Sequence, residues 1–510
     1  MQKKTDSTSE ETQTYTPFPQ FIDDIKITLQ DIYRGDAGTD LLTLPRGIPQ
    51  TVLTKFMAHN PLSVCIPKEH GGRGGKMEEI MAMVSAASYE SLALSLTLGI
   101  NSALFIQPTA KYALSETQAA VFKRFLKDKE MGGLMITEPD FGSDALNMQT
   151  QYTEKDGKYH LQGTKHWAGL TGSANFWLLT GRERTANGNL KRDMDFFVCD
   201  RSAPNQQIVV EEFYDNLGLH QILYGRNIID VEIPKSHKLI HKTTGVNLLL
   251  DLLHRSRLQF PAMGLGFVQR MLDEAIDHCK QRNVGGKSLF SYDQVQLRLT
   301  RLQASYTIIS TMCAHSTKIG GLEHDLHTSG LIANSIKTVT TDLMQEAAQS
   351  LVQLVGARAF RYSHIAGRGI ADSRPFQIFE GSNDILYIQI AETITKLMKQ
   401  AGKNNLYEFL IEYEHTNLAV HSLKSVLNFE LNGQISQRKL TELGQALARI
   451  ISMQIVILIA EKGFRQDLIE NSLLMLRKEI TGYMGTFVVH DTSFVIEDYR
   501  KDSYWYDLVK

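Results

Sequence analysis

The stretch "KYHLQGTKHWAG", residues 158–169, alternates its side-chain character over a short distance and ends at a glycine. A strand of a half-buried sheet does this; an amphipathic helix does not. "NFWLLTGR" (175–182), "DMDFFVCD" (193–200) and "RNIIDVEIP" (226–234) repeat the pattern, separated by Gly, Asn and Asp turns. A small sheet or barrel is therefore expected over residues 131–242. Helical periodicity holds on both sides, in "EEIMAMVSAASYESLALSLTLGINSALF" (78–105) and "LLLDLLHRSRLQFPAMGLGFVQRMLDEAIDHCKQR" (248–282). The expected organisation is a disordered tail over 1–18, a helical domain over 19–130, the β domain over 131–242, a helical bundle over 243–400 and a further helical extension over 401–510.

A chain of 510 residues exceeds the size at which one core keeps growing, which fits several packed domains. With 54 Lys+Arg against 56 Asp+Glu the formal net charge is −2, so no whole-protein field attracts nucleic acid or an anionic membrane. A small-molecule partner is expected. Cys65, Cys199, Cys279 and Cys313 lie far apart without a CxxC pair, which argues against a disulfide framework or thiolate zinc site and for a reducing, cytoplasmic compartment. "MQKKTDSTSEETQTYTPFPQ" has no apolar signal-peptide core. "IISMQIVILIA" (450–460) is shorter than the roughly 20 residues of a spanning helix, so no transmembrane segment is expected. Leu440, Leu443, Leu447, Ile450 and Ile451 share one helical face that should pack on the 245–400 helices.

The α–β–α order and several motifs resemble the acyl-CoA dehydrogenase family over about residues 60–395. "MITEPDFGSDA" (135–145) is similar to its Thr-Glu-Pro and Gly-Ser-Asp motif, and "KHWAGLTGSANF" (165–176) to its Lys-x-Trp strand. "IPKEHGGRGG" (66–75), "QRNVGGKSLFSYDQVQ" (281–296), "QLVGARAF" (353–360) and "IFEGSNDIL" (378–386) fall in the family's order. The last motif and the extension are most similar to the very-long-chain branch. The fold implied is mainly α with a central β domain: an N-terminal helical domain, a middle β-barrel or sheet domain, a C-terminal four-helix bundle and an additional C-terminal helical segment.

The resemblance implies an FAD flavoprotein, although no glycine-rich dinucleotide turn is present. Gly264 and Gly266 lie in a helical run and read as close helix packing, and "GGRGG" (71–75) reads as a flexible turn. Backbone groups of Leu134, Ile136 and Thr137 would reach the flavin ring, Ser143 would face cofactor or thioester, and Trp167 would pack beside the ring. Arg282 would meet the pyrophosphate of a neighbouring subunit's flavin, Gln353 and Gly356 would line its adenine end, and Ser382 would supply a hydroxyl. Several positions depart from the family's pattern: Gly169 replaces a Thr, Val284 and Gly285 replace a polar residue and Phe, Asp293 replaces a Gln, and Ala371 replaces an Arg.

Glu380, a lone carboxylate among aromatic and aliphatic neighbours, has the setting that raises proton affinity. The resemblance implies that it takes the α-proton of an acyl thioester while a hydride leaves the β-carbon for the flavin, giving a trans-2-enoyl thioester. Glu380, Gly381, Ser143 and Arg257 would contact substrate. Arg257 could alternatively be an ordinary helix-surface charge. His254, Arg255 and Ser256 are not acidic, which leaves Glu380 as the motif-supported base. His324 and His327 lack an evident third metal ligand, so no metal is expected. The reading is an FAD-dependent acyl-CoA dehydrogenase of fatty acid metabolism, a homodimer passing electrons to an electron-transfer flavoprotein. Alternatives are an acyl-carrier-protein-linked dehydrogenase, an acyl-CoA oxidase, and a flavin-free binding or assembly member of the family.

Overall fold

A computed structural model describes residues 15–35, 46–142, 144–431, 433–489 and 493–509. The greater part of the expected tail, 1–14, lies outside them. Tyr15 donates to the Gly71 carbonyl at 2.7 Å, its ring lies beside Arg73, and Phe18 opens the first helix.

The N-terminal helical part comprises α1 (Phe18–Arg34), α2 (Gln50–Met57), α3 (Met77–Glu90), α4 (Leu92–Gly99) and α5 (Ser115–Lys127). After α4 the same rod continues through a π-helical segment, Ile100–Ile106, before the short helix Gln107–Tyr112. The turn at 71–75 is closely packed. Gly71, Gly74 and Gly75 have positive φ, and a Cβ on Gly72 would stand 2.1 Å from the Ile66 carbonyl.

Seven strands form the middle sheet: β1 (Gly132–Met135), β2 (Gln151–Lys155), β3 (Lys158–His166), β4 (Phe176–Glu183), β5 (Asp195–Asp200), β6 (Gln206–Phe213) and β7 (Gly225–Pro234). Their order is β1-β4-β2-β3-β7-β6, with β5 on the remaining edge of β4. β1 and β2 run parallel to β4; the other pairs are antiparallel. In β7, Asn227, Ile229, Val231 and Ile233 are buried while Ile228 and Asp230 are exposed and Glu232 is half-buried, the alternation of a sheet covered on one face.

Helices return with α6 (Gly245–Arg257), α7 (Phe260–Gln281), α8 (Asp293–Ile319), α9 (Gly330–Val355), α10 (Ile365–Ser373) and α11 (Asn383–Gln400). The close packing expected at 264–266 is present: a Cβ on Gly266 would stand 2.0 Å from the Ser85 carbonyl of α3.

In the extension, residues 405–431 form short turns and helical pieces, not one continuous helix. Two long helices follow, α12 (Gln437–Ala460) and α13 (Gln466–Val488). The expected apolar face of α12, Leu440 to Ile451, is buried, and α12 packs on α11, α9 and α8. One expectation needs correction. The 450–460 run is the second half of a 24-residue helix, and by length and composition α12 and the 92–112 rod are both long and apolar enough to cross a membrane. Most of each is buried within the chain. All four cysteines are free thiols.

Candidate active site

Where the sheet meets α4 and α6, a cavity of about 540 Å³ opens, with Glu380 in its wall. Thr244 caps α6, its Oγ1 accepting from the Asn247 N–H at 3.1 Å, and α6 then turns Leu249, Leu253 and Arg257 toward the cavity at helical spacing. Leu96, Ile100 and Leu104 line the opposite wall, two of them in the π-helical segment. Much of the cavity's lining is therefore aliphatic.

The Glu380 carboxylate is partnered on one side only. Its Oε1 accepts from Ser256 Oγ at 2.7 Å, while its Oε2 is buried with no hydrogen-bond partner among the described residues. Burial raises its pKa above the ordinary glutamate value; the Ser256 hydroxyl and the charges of Arg257 and Lys337 offset this only in part. Its backbone is left-handed, φ 55°, and Gly381 follows at φ 89°. For a glutamate this costs on the order of 1–3 kcal/mol and persists only where the surroundings over-determine it.

The surroundings do. Arg257 donates from Nε and Nη2 to the Glu380 carbonyl, at 3.2 and 2.7 Å, and from Nη1 to Asn334 Oδ1 at 2.6 Å. Lys337, one helical turn from Asn334 on α9, donates to the Gly381 carbonyl and to Asn383 Oδ1, both at 2.9 Å. Arg257 is 5% exposed, which removes the surface-charge alternative. Burial lowers its pKa to about 10, and burial together with Arg257 lowers that of Lys337 to about 7.

The two most family-like motifs meet as an ion pair. Lys165 Nζ lies 2.7 Å from Glu138 Oε1, and Glu138 also accepts from the Thr150 N–H at 3.0 Å. Burial lowers the Lys165 pKa to about 8. Lys165 also donates to the Ile136 carbonyl at 3.2 Å, and the His166 N–H to the Thr137 carbonyl at 2.9 Å. These bonds hold the two carbonyls of the chain leaving β1, where Ile136 and Thr137 line the cavity.

Of the residues expected at the site, Leu134, Ile136, Thr137, Trp167, Gly169, Arg257, Glu380 and Gly381 line this one cavity. Ser382 sits beside it as the N-cap of α11. Ser143 lies outside the described residues. Arg282, Gln353 and Gly356 do not line it; they are exposed at the C-terminal ends of α7 and α9. There burial and the charges of Arg358 and Arg282 lower the pKa of His278. Among the described residues no cluster could hold a metal ion.

Sequence reasoning passed over Ser256, Asn334, Lys337 and Tyr224. Ser256 was set aside as non-acidic, although position 256 lies beside Arg257 in the same motif. Asn334, Lys337 and Tyr224 sit in apolar or polar runs that carry no local signal.

Two departures have physical causes. A Cβ at Gly169 would stand 2.7 Å from Ile100 Cδ1 and 3.5 Å from Tyr224 Cε1, so a threonine there requires the tip of Ile100 to move. Beside Ala371, Asp372 faces Arg368 instead, and its Oδ1 accepts from the Leu219 N–H at 2.6 Å.

The remaining surroundings suit a flat, polar-edged ring. Trp167, 52% exposed and held at φ 55°, rests on Tyr214 with ring centroids 4.4 Å apart and presents its indole to the cavity. A larger groove, about 690 Å³, runs between α1, α3, α7 and α8, but Arg34 and Glu90 in its wall are spent on each other at 2.5 Å.

Fold and site together define a flavin-type dehydrogenase scaffold. Acyl-CoA dehydrogenase family models match in chain order: the N-terminal domain over 44–129, the middle domain over 133–230 and the C-terminal domain over 243–395. The chain belongs to the acyl-CoA dehydrogenase family, whose cofactor is FAD. It is 23% identical to an acyl-CoA dehydrogenase of Bacillus subtilis over 68% of this chain and 89% of that protein. It is 22% identical to the mitochondrial very long-chain specific acyl-CoA dehydrogenase of Mus musculus over 64% of this chain and 50% of the mouse enzyme. The solved structure of an acyl-CoA dehydrogenase complexed with FAD from Bacillus anthracis superposes with a TM-score of 0.72 at 14% identity, covering 94% of this chain and 89% of that one. That coverage takes in most of the C-terminal extension.

Proposed function

We propose that this oxidoreductase dehydrogenates a saturated acyl-CoA to the trans-2-enoyl thioester, with Glu380 as the base that removes the α-proton. The observation that carries the reading is the half-partnered carboxylate of Glu380 at the wall of an apolar cavity. A base must stand within reach of its proton with a pKa near working pH, and burial moves Glu380 in that direction. Ser256 holds Oε1, leaving Oε2 to receive the proton. The Glu380 N–H is the donor we assign to the thioester oxygen, where negative charge grows as the α-proton leaves. Leu96, Ile100, Leu104, Leu249 and Leu253 shelter the acyl chain from water.

FAD, when bound, accepts the hydride from the β-carbon. Trp167 and the N–H groups of residues 136–137 would hold its ring, with the Ser382 hydroxyl beside the cavity. Arg282, Gln353 and Gly356 would hold the pyrophosphate and adenine of a partner subunit's FAD, so the protein would be a homodimer. We assign an electron-transfer flavoprotein as acceptor and a cytoplasmic location, which the four free thiols favour. The test is anaerobic addition of saturated acyl-CoA thioesters to the FAD-loaded protein. Bleaching of the flavin is expected; a protein that stays colourless after incubation with FAD contradicts the reading.

A further inference from the structure

The loop that carries Glu380 is tied at both ends to one largely enclosed carboxylate, that of Asp342 on α9. Gln377, three residues before Glu380, donates from Nε2 to Asp342 Oδ1 at 2.8 Å. Asn383, three residues after it, donates from Nδ2 to the same oxygen at 2.8 Å. The left-handed pair Glu380 and Gly381 lies between these two ties.

The other oxygen of Asp342 faces the C-terminal extension. Its Oδ2 accepts from the Tyr387 hydroxyl at 2.5 Å and from Arg449 Nη2 at 2.7 Å. Arg449 comes from the middle of α12 and is 1% exposed. It also donates to the Tyr387 hydroxyl at 2.5 Å and to Glu479 Oε2 of α13 at 3.3 Å. Tyr483 and Glu346 face the same group, and Arg301 bridges Glu346 and Glu479. Burial pushes the Asp342 carboxyl up, but Arg449, Tyr387 and Gln377 more than offset it, so the group stays below its ordinary value.

Apolar side chains of similar volume would join α12 to α9 as firmly as a buried ion pair. What the guanidinium adds is direction. Its planar fork meets Asp342, Tyr387 and Glu479 at once, which fixes the carboxylate plane from which both ends of the Glu380 loop hang. We propose that Arg449 is a positioning residue for the Glu380 base, so that the C-terminal extension completes the active site through Asp342. This rests on Glu380 acting as the base.

The test compares the FAD-loaded parent with Arg449→Met and Arg449→Lys. Because Arg449→Met leaves Asp342 without its counter-charge, the double variant Asp342→Asn/Arg449→Met, which orphans no charge, is read beside it. The first measurement is the rate of flavin bleaching by saturating acyl-CoA across pH. The second is hydrogen exchange of the backbone over residues 376–384. In the folded methionine variants the bleaching rate should fall at least ~10-fold at a little-changed half-saturating thioester concentration. The acid limb of the profile should move to lower pH, since a loosened loop admits water to a carboxylate that, beside Ser256, Arg257, Lys337 and Tyr224, is perturbed chiefly by desolvation. Exchange should quicken over 376–384 and not along α9. Arg449→Lys, which keeps the charge but not the planar fork, should recover only a minor part of the rate.

A folded, flavin-loaded methionine variant that keeps the parent's rate and pH limb overturns the proposal. So does a loss of rate accompanied by equal loss of protection throughout α9 and α12. A parent that acyl-CoA does not bleach overturns the functional reading instead, and the exchange measurement still decides whether Arg449 holds the loop.

Discussion

A carboxylate raised in proton affinity by burial is poised to accept a proton, and it also costs stability. Between the ordinary glutamate value and the raised value of Glu380, the folded state holds a proton that the unfolded chain has released, so stability falls as pH rises through that window. Glu380→Gln removes this cost. The variant should melt higher than the parent at pH 8 and close to it at pH 4, which paired calorimetric scans would check. Ser256→Ala should act the other way on the base. Ser256 lowers the Glu380 pKa, so its loss should move the acid limb of the bleaching profile to higher pH, at a stability cost of about 1 kcal/mol. An acid limb that stays in place would count against Ser256 as a partner of the reacting carboxylate. Lys337 carries the opposite linkage. Its pKa near 7 lies below the unfolded value, so its contribution to stability improves as pH rises from about 7 toward 10.5.

At the scale of elements, the sequence carried those features that repeat locally. Strand alternation marked the sheet, and the 3.6-residue period marked α6, α7 and α12, because burial of one face imposes those periods. The motifs at 134–137, 167–169 and 380–381 were legible as well, and they line one cavity. What stayed hidden is contact between distant elements. Nothing near position 337 says that an α9 lysine will hold the Gly381 carbonyl, and nothing near 449 says that its arginine will reach Asp342. The 450–460 run alone understated how apolar α12 is over a spanning length, since Arg449 ends the unbroken run while the helix reaches back to Gln437. Gly444 offers a test of the α11–α12 packing. A Cβ there would stand 2.0 Å from the Tyr387 carbonyl, so Gly444→Ala should destabilise by about 1–3 kcal/mol, measurable by urea denaturation. An unchanged midpoint would mean that the two helices do not meet so closely.

At the scale of the whole molecule, the extension lies on the outer face of the bundle, where α12 covers α11, α9 and α8 and α13 covers α8. A surface already covered by the same chain is closed to a second copy, which is why we assign a dimer and not a larger closed assembly. Light scattering should report twice the chain's 57.5 kDa. Arg282→Ala should lower FAD retention on gel filtration with little effect on folding, because the residue is exposed and its proposed role is a contact with phosphate across subunits. The central claim is that Glu380 is the base of a flavin-dependent thioester dehydrogenation. Its most direct test is anaerobic titration of parent and Glu380→Gln, each loaded with FAD, with a saturated acyl-CoA while flavin absorbance is recorded. The account predicts bleaching of the parent and none of the variant at equal flavin content; bleaching of the variant at the parent's rate would contradict it.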